Sequence, residues 1–561
     1  MSGGERNGRS GSTDLRPPPE AQRPDEAALE DVRRVLGDAP RRRDLLIEHL
    51  HRIQDAFGHL SARHLAALAH ELRLPPAEVY EVATFYHRFN VVEEGEAPPP
   101  LTVRVCESLS CELAGAQTLL RELADRAGPD VRVIGAPCVG RCAEAPVAVV
   151  GRNPVGHATA AAVEEAIRAG RTEPELPSYI DYRAYRSTGG YQLLMACVRG
   201  IRAVGDVIRL VEAAGLRGLG GAGFPAASKW RAVRAEPKPR FAVLNADEGE
   251  PGTFKDRHFL ESDPHRVIEG LLVAAWVVEA EDVYIYLRDE YAACHEILKR
   301  ELAALEADPP CALPRLHLRR GAGAYICGEE TALIESLEGK RGEPRPRPPF
   351  PAQVGLFGRP TLVHNVETVY WLRDVLEKGP DRFAAFGRRG HKGIRAFSVS
   401  GRVKKPGVYL APAGVTAREL VFDYAGGMQD GHEFYAYLPG GASGGILPAS
   451  MADLPLDFGA LEPYGCFIGS AAVVVLSHHD SASRAALNLM RFFAHESCGK
   501  CPPCRTGTVK AATLMEADRW DLELLGGVSR DLADASLCGL GQAASNTIRC
   551  VTRYFIEPVR A

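Results

Sequence analysis

Three cysteines near the C-terminus lie close enough in sequence to share one metal centre. Cys498, Cys501 and Cys504 are each separated from the next by two residues, and Cys538 follows 34 residues after the third. Three thiolates on one tight turn, completed by a fourth from a distant loop, can hold a 4Fe-4S cube. A four-cysteine zinc site is the alternative, but such sites usually consist of two separated CxxC pairs. The spacing therefore favours a 4Fe-4S cluster.

A second set of four cysteines lies nearer the N-terminus. Cys106 and Cys111 stand in CESLSC, Cys138 and Cys142 stand in CVGRC, and each pair follows a predicted strand. Four thiolates on two adjacent loops suit a 2Fe-2S cluster, in which each iron takes two of them. Zinc is again the alternative, although these spacings match neither a zinc knuckle nor a thioredoxin CxxC. No export signal accompanies the 14 cysteines, so we expect redox or metal chemistry in the cytoplasm rather than disulfides.

A glycine-rich segment, RGLGGAGFPAASKW (217–230), formally contains the pattern GxGxxG at Gly218, Gly220 and Gly223. The dinucleotide-binding fingerprint requires a strand immediately before the glycines, whereas residues 206–214 have a helical pattern that ends at Gly215. We therefore reject an ordinary Rossmann fingerprint. A loop without side chains still lets backbone N–H groups approach a phosphate or a flat ring, and Lys229 adds positive charge; a simple glycine-rich turn is the alternative.

A cluster of polar side chains follows the predicted strand FAVL (241–244). Asn245, Asp247, Glu248 and Glu250 fall on the loop at its carboxyl end, which is where α/β sheets bind ligands. Carboxylates there can accept the ribose hydroxyls of NAD. A solvated acidic turn explains this loop equally well.

A third loop, RRGAGAYICGEE (319–330), places Tyr325, Glu329 and Glu330 at the start of a predicted helix. Carboxylates at a helix N-terminus are favoured by the helix dipole alone, so by themselves the two glutamates are better explained as caps than as cofactor contacts. The following segment, PRPRPPFPAQ (344–353), has the composition of a rigid proline-rich connector.

Hydrophobic periodicity divides the chain into six parts of a multidomain α/β protein. The chain begins with amphipathic helices, continues with alternating strands and helices and then a mostly β module, and ends with helices. The predicted parts are a disordered tail (1–25), a helical bundle (26–95), a thioredoxin-sized α/β domain (100–178), a larger α/β domain (182–392), a small β module (394–480) and a helical domain (482–561).

Composition excludes several classes of protein. The 561 residues are 45% hydrophobic and 25% charged, with a net charge of −5, which is ordinary globular composition and gives no basis for a nucleic-acid partner. The longest apolar run, 271–278, is far shorter than the roughly 20 residues of a membrane helix. We expect neither nucleic acid nor a membrane as partner.

The order of the motifs resembles a known family. GLGGAGFP, NADEGEPGTFKDR, GAYICGEE, PPFPAQ, PTLVHNVET, SCGKCPPC and SLCGLGQAA occur in sequence over about residues 185–555, as in the flavin-bearing, NADH-oxidising subunit of respiratory complex I. The part from ATFYHRF (83–89) to CVGRCAEAP resembles the thioredoxin-like 2Fe-2S subunit of the same complex, here fused in front. Such fusions are similar to the β subunit of soluble NAD-dependent molybdenum or tungsten formate dehydrogenases and to the diaphorase subunit of NAD-reducing hydrogenases. RDLLIEHLHRIQDAFG, RVKKPGVYLAPAG and SLCGLGQAASN favour the formate dehydrogenase.

The resemblance implies a fold and a set of cofactor contacts. It implies a thioredoxin-like 2Fe-2S domain, a Rossmann-like FMN/NAD domain, an SLBB-type β-grasp module and a C-terminal helical 4Fe-4S domain. FMN would lie on the glycine loop, nicotinamide would stack on its ring, and Phe224 and Phe350 would sandwich the adenine. Arg347 stands where the family often has lysine, and His364 where it usually has asparagine. The implied FMN and NAD contacts are Gly218, Gly220, Gly221, Gly223, Phe224, Lys229, Asn245, Asp247, Glu248, Glu250, Tyr325, Glu329, Glu330, Arg347, Phe350, His364 and Asn365.

The function implied by the resemblance is electron transfer without a catalytic acid or base. Hydride would pass between NAD(H) and FMN, and single electrons between FMN and the 4Fe-4S cluster. Formate would be oxidised on a separate subunit that carries molybdopterin or tungstopterin and further Fe-S clusters. A hydrogenase diaphorase and a complex I subunit are the alternatives within this class, and a zinc-stabilised scaffold protein is the alternative from a different class.

Overall fold

The computed structural model describes residues 25–93 and 96–556. The predicted disordered tail lies outside the described residues except for Asp25, which caps the first helix. Within the described ranges, no helix has both the length and the hydrophobicity needed to cross a bilayer.

Four helices form the N-terminal bundle. They are amphipathic, and Val32, Leu50 and Leu68 from their apolar faces are fully buried. The Tyr86 hydroxyl, just after the last helix, donates a 2.9 Å hydrogen bond to Ser336, so the bundle packs against the larger α/β domain. The elements are α1 (Glu26–Leu36), α2 (Leu46–Phe57), β1 (Leu60–Ser61), α3 (Ala62–Leu72), α4 (Pro76–Phe85) and β2 (Val91–Val92), with β1 and β2 paired in parallel.

The next unit is a four-stranded sheet with helices. Its elements are β3 (Leu101–Cys106), α5 (Leu109–Leu113), α6 (Ala116–Arg126), β4 (Val131–Ala136), β5 (Ala148–Val150), β6 (Asn153–Val155) and α7 (Ala160–Arg168). The strand order is β4-β3-β5-β6. Since β3 and β4 are parallel, with Cys106 opposite Ala136, the loops after these strands meet at one edge of the sheet.

The larger α/β domain is built on an all-parallel sheet of order β10-β7-β8-β9. Val243, Leu244 and Ile285 are fully buried, as expected for a sheet covered on both faces. The elements are α8 (Tyr182–Ser187), α9 (Gln192–Val198), α10 (Val204–Ala213), α11 (Ala226–Ala235), β7 (Arg240–Ala246), α12 (Lys255–Ser262), α13 (Pro264–Val278), β8 (Ala280–Leu287), α14 (Ala292–Ala307), β9 (Arg315–Arg320), α15 (Glu330–Leu337), β10 (Thr361–Asn365), α16 (Val366–Tyr370), α17 (Leu372–Lys378) and α18 (Pro380–Ala384). The glycine-rich loop follows helix α10, not a strand.

A mixed sheet with one short helix, followed by four longer helices, completes the described part of the chain. The sheet order is β12-β11-β15-β13-β14, with β11 and β15 parallel at its centre and the other pairs antiparallel. The elements are β11 (Ile394–Gly401), β12 (Gly407–Pro412), α19 (Ala417–Glu419), β13 (Phe434–Leu438), β14 (Leu447–Pro448), β15 (Ala472–Ser477), α20 (Ala482–His495), α21 (Pro502–Met515), α22 (Leu522–Ala535) and α23 (Gly539–Val551). This architecture confirms the predicted multidomain α/β fold class.

Candidate functional site

The carboxyl ends of β7 and β10 open into a cavity of about 360 Å³, which we call the central cavity. The two strands are parallel neighbours with Asn245 directly opposite Asn365, so both amides lie at the same edge. Its size is at the lower end of the range for cofactor sites. Nine of the predicted contacts line it: Gly220, Gly221, Asn245, Asp247, Glu248, Glu250, Tyr325, Glu329 and Asn365.

The glycine loop presents free donors to this cavity. The loop closes on itself, because the Gly218 N–H donates to the carbonyl of Phe224 at 2.8 Å and the Gly223 N–H to the carbonyl of Gly218 at 3.2 Å. Between these bonds, the N–H groups of Gly220, Gly221 and Ala222 find no acceptor in the described part of the chain. Three adjacent unpaired donors suit a phosphate or another oxyanion.

Asp247 supplies a free acceptor. Its Oδ2 atom is buried and has no hydrogen-bond partner among the described residues. Burial raises the pKa of this carboxyl well above its usual range. The neighbouring Asn245 is already engaged, since its side chain donates to the Gly328 carbonyl at 2.8 Å and accepts the Asp247 N–H at 3.1 Å. Because a buried acceptor without a partner is costly, a bound group with an N–H or O–H would fit here. The donors of the glycine loop and this acceptor together fit FMN.

Glu250 has a structural role in the cavity wall. It accepts the Tyr325 hydroxyl, the Ser443 N–H at 2.6 Å and the Ser443 hydroxyl at 3.1 Å. Burial raises the pKa of its carboxyl, and these donors oppose the shift. Glu250 therefore joins the mixed-sheet region to the loop after β7.

Glu248 also has several partners. It accepts the N–H groups of Asp256 at 2.8 Å and Arg257 at 3.1 Å, and the Tyr291 hydroxyl at 2.7 Å. Burial and the nearby Asp256 raise its pKa to about 7. This carboxyl thus holds the start of α12 in place while it borders the cavity.

The remaining predicted contacts lie outside the cavity lining. The Lys229 ammonium is 3.1 Å from both Glu330 and the Val363 carbonyl, and Arg347 is 3.4 Å from Glu330. Phe224 and Phe350 are about half exposed, available to stack on a ligand. Gly218 and Gly223 hold the glycine loop closed as described above.

Two predicted residues have clear local partners. Glu329 lines the cavity but also caps α15, accepting the N–H groups of Thr331 and Ala332 at 2.9 Å. His364 is buried away from the cavity and accepts the Trp230 indole N–H at 2.7 Å. Burial and the Lys229 charge lower the pKa of His364 to about 3, so it is neutral at physiological pH.

The structure adds residues that the sequence did not single out. Lys255 lines the cavity although its side chain is only 1% exposed, and its ammonium contacts Asp256 at 2.8 Å and Glu367 at 3.0 Å. The others come mainly from the mixed sheet and the C-terminal helices. They are Ala222, Gly249, Thr253, Asp256, Ile326, Gly328, Gly440, Ser443, Phe467, Gly469, Ser470, Gly539, Leu540 and Ala543. The glycine run PGGASGGI (439–446) was the available signal for part of this set.

The four C-terminal cysteines surround one small cavity beside the central one. Cys498 and Cys501 precede α21, Cys504 lies in its first turn, and Cys538 precedes α23. Burial raises the pKa of Cys504 to about 11 and that of Cys538 to about 12, so four thiolates here require a cationic metal centre. Ile326 and Leu540 line both this cavity and the central one.

The four N-terminal cysteines also converge. Cys106 ends β3, Cys111 lies in α5, and Cys138 and Cys142 follow β4; all four are buried. The sulfurs of Cys138 and Cys142 are 3.5 Å apart. Phe254, next to Lys255 of the central cavity, packs against this second pair. All 14 cysteines are free thiols, and eight of them form these two groups of four.

Comparison with known proteins assigns these sites to a family. Three family models match in order: a thioredoxin-like [2Fe-2S] ferredoxin over residues 32–171, a Nuo51 FMN-binding domain over 211–374, and an NADH-ubiquinone oxidoreductase-F iron-sulfur binding region over 484–561. The chain is 41% identical over 386 residues to the second F-type NADH-quinone oxidoreductase subunit of Rhizobium meliloti, covering 91% of that protein and 66% of this chain. It is 41% identical to the F-type subunit of the Aquifex aeolicus enzyme, covering 89% of that protein and 66% of this chain.

The chain belongs to the family of F-type NADH-quinone oxidoreductase subunits. A solved structure of an NAD+-reducing [NiFe]-hydrogenase in the H2-reduced state is also similar, with a TM-score of 0.80, 33% identity and 92% of each chain covered. The family matches support all four predicted cofactors, FMN, NAD, a 2Fe-2S cluster and a 4Fe-4S cluster. The chain is thus an F-type NAD-dependent oxidoreductase subunit with a fused 2Fe-2S domain.

Proposed function

We propose that this chain exchanges electrons between NAD(H) and a partner subunit of a larger oxidoreductase. The observation that carries the proposal is the shared wall of Ile326 and Leu540 between the central cavity and the cavity of the four C-terminal cysteines. FMN bound in the central cavity would supply the conversion between two-electron hydride chemistry and one-electron chemistry. A 4Fe-4S cluster on the other side of the Ile326 and Leu540 wall would accept or donate the single electrons.

The residues of this chain would bind and orient the cofactor. The N–H groups of Gly220, Gly221 and Ala222 would hold the phosphate end, and Asp247 would accept an N–H or O–H group of the bound flavin. Lys229 and Asn365 would lie near the phosphate end, as the family resemblance implies. The apolar wall of Ile326 and Leu540 would keep water out of the space between flavin and cluster.

The dinucleotide would enter from the exposed side. Phe224 and Phe350, both about half exposed, would stack on the adenine. Glu250, Glu330 and Arg347 would contact the rest of the dinucleotide, and Glu250 would exchange its bond with Ser443 for a ribose hydroxyl. No side chain is required as a general acid or base.

The partner we propose first is a molybdopterin- or tungstopterin-containing subunit with further Fe-S clusters, which oxidises formate in the cytoplasm. This choice rests on the motifs of residues 43–58, 402–414 and 536–546. A hydrogenase partner is the second candidate, because the NAD+-reducing hydrogenase subunit covers 92% of this chain, including the fused N-terminal part. We propose neither a nucleic-acid nor a membrane partner.

The donor can be identified with the native complex. A tag on this chain allows anaerobic isolation with its partners, followed by assays of NAD+ reduction with formate and, separately, with hydrogen. Formate activity with a pterin-containing partner supports the first candidate. Hydrogen activity alone replaces it with the second, and NADH oxidation with neither donor indicates a complex I-type subunit. Zinc in place of iron, with no flavin, would refute the electron-transfer function altogether.

A further inference from the structure

A second cavity, of about 200 Å³, lies between the 2Fe-2S ligand loop and the central cavity; we call it the bridging cavity. Ile134, Ala136 and Cys138 form its wall on the side of the thioredoxin-like unit. Asp247 and Tyr325 form its wall on the side of the flavin. It therefore lies between the two predicted redox sites and shares Cys138 with one of them and Asp247 and Tyr325 with the other.

Arg104 on β3 points into the bridging cavity without a partner. Its side chain lines the cavity, the residue is only 8% exposed, and its guanidinium has no hydrogen-bond or ion-pair acceptor among the described residues. An arginine guanidinium is charged at neutral pH, so Arg104 brings positive charge to the cavity wall. Since the guanidinium faces the cavity and not a protein acceptor, water or a bound anion in the cavity must supply its hydrogen bonds.

Most of the acidic side chains around the cavity are already engaged; the exception is Asp247, whose Oδ2 atom has no partner among the described residues. Glu290 pairs with Arg288 at 3.1 Å, and Arg88 is held by Asp289 at 2.5 Å. Glu496 accepts the Tyr325 N–H at 2.9 Å, and burial raises its pKa to about 7. Asp247 also lines the cavity, on the flavin side. None of these carboxylates lies within ion-pair distance of Arg104 among the described contacts.

The mouth of the cavity has further donors. His87 and His495 are exposed, line the cavity and stack with ring centroids 4.2 Å apart. Neutral imidazoles at the entrance can each donate one hydrogen bond. Arg104 inside and two imidazoles at the entrance together present donors and positive charge to whatever enters.

We infer that the bridging cavity is a binding site for a small oxyanion, with Arg104 as its main ligand. The planar guanidinium matches the paired oxygens of a phosphate or a carboxylate, and the cavity of about 200 Å³ has room for an ion of that size. Arg104 is two residues from Cys106, and Cys138 lines the same cavity. A bound anion would add negative charge beside these ligands and make reduction of the 2Fe-2S cluster less favourable. This inference does not depend on which donor the partner subunit oxidises.

Calorimetry on the purified, anaerobic holoprotein tests the binding. Inorganic phosphate and acetate are titrated separately at an ionic strength held constant with chloride. We expect one of them to bind the wild type and Arg104→Gln to weaken that binding tenfold or more, roughly the loss of one charged hydrogen bond. Arg132→Gln is the matched control, because Arg132 lies on the adjacent strand and contacts Asn90 without lining the cavity. Binding of phosphate or of acetate identifies the class of oxyanion, and binding of neither by the wild type overturns the inference.

A second readout separates a binding role from a structural one. Potentiometric EPR titration of the 2Fe-2S cluster should give a lower midpoint with the bound anion in the wild type and no shift in Arg104→Gln. Arg104→Lys keeps the charge but not the planar guanidinium, so it should keep the 2Fe-2S cluster content and bind the anion more weakly than the wild type but more tightly than Arg104→Gln. Loss of cluster content in Arg104→Gln alone would show that the glutamine variant misfolds, and the lysine variant then tests binding. Competitive displacement of the anion by NADH would instead make the cavity part of the dinucleotide site and overturn the inference.

Discussion

Replacement of Lys255 by methionine should destabilise the larger α/β domain strongly. The ammonium is almost completely buried and lies 2.8 Å from Asp256 and 3.0 Å from Glu367, which are buried as well. Methionine has similar volume, so the change mainly leaves two carboxylates in the interior without a cation. Breaking a buried ion pair in this way costs roughly 3–5 kcal/mol. For a domain of this size, that corresponds to a decrease of about 10 °C in the unfolding midpoint.

The cost should depend on pH in a defined direction. Burial alone would lower the pKa of Lys255, but the charges of Asp256, Glu367 and Glu248 raise it above its usual range. The stabilisation by Lys255 is therefore fully present below its unfolded-state pKa of about 10.4 and is lost as the pH rises further, so the difference in midpoint should be nearly the same at about pH 6 and pH 8 and should shrink above about pH 10. Adding Glu367→Gln should recover about half of the loss. The second substitution keeps the Oε1 atom of residue 367, which accepts the Ala396 N–H at 2.7 Å.

Near-UV circular dichroism and flavin fluorescence during heating measure this effect. Lys238→Met is the matched control, because Lys238 is about half exposed and pairs with Glu279 at 3.1 Å. An exposed pair of this kind contributes about 1 kcal/mol or less. Equal midpoints for Lys255→Met and Lys238→Met, or a difference from wild type that grows above about pH 10, would refute the reasoning.

Three further predictions concern other parts of the molecule. Burial lowers the pKa of His51 to about 4, so between about pH 6.5 and 4 the unfolded state binds more protons than the folded state. The free energy of unfolding therefore decreases as the pH is lowered. His51→Gln should remove roughly 1.5 kcal/mol of the decrease between about pH 6.5 and 5, measured by urea unfolding. His364→Ala should cost about 1–3 kcal/mol by leaving the Trp230 N–H unpaired, with FMN content unchanged; loss of FMN without loss of stability would instead make His364 a cofactor contact. Cys538→Ser should lower the iron content from about six to about two atoms per chain, whereas Cys550→Ser should leave it unchanged; equal iron loss in both would contradict the ligand assignment.

The parts of the site that the sequence predicted depend on short-range spacing. Cys498, Cys501 and Cys504 fall within seven residues, and the segment after β7 lies on one loop, so local pattern and the geometry of parallel sheets suffice to place them. The rejection of a Rossmann fingerprint also depends on local sequence, because the helical pattern before the glycines is short-range; in the structure, helix α10 ends just before the glycine loop. Position alone likewise predicts Glu329 and Glu330 as helix caps; Glu329 does cap α15, whereas the Glu330 carboxylate contacts Lys229 and Arg347.

The remaining wall of the central cavity depends on contacts between distant segments. Ser443 reaches Glu250 across 193 residues, and Leu540 comes from the last long helix of the chain. Local sequence patterns cannot predict these contacts, because the loops involved are brought together only by tertiary packing. Lys255 could not be predicted for the same reason. Its neighbours in sequence are polar and suggest an exposed loop, but the folded chain buries Lys255 together with Asp256 and Glu367.

These long-range contacts also explain why the site needs all of these units together. The mixed sheet contributes Ser443 to Glu250, the C-terminal helices contribute Leu540 to the wall facing the cysteines, and the loop after β9 contributes Ile326 to the same wall. A flavin in the central cavity would therefore contact three parts of the chain at once. A ligand that binds only the folded state stabilises that state. FMN binding should therefore stabilise the packing of these three parts against one another, in addition to supplying redox chemistry. The wall of Ile326 and Leu540 between the central cavity and the cavity of the four C-terminal cysteines is thus formed by packing between distant parts of the chain and not by any one motif.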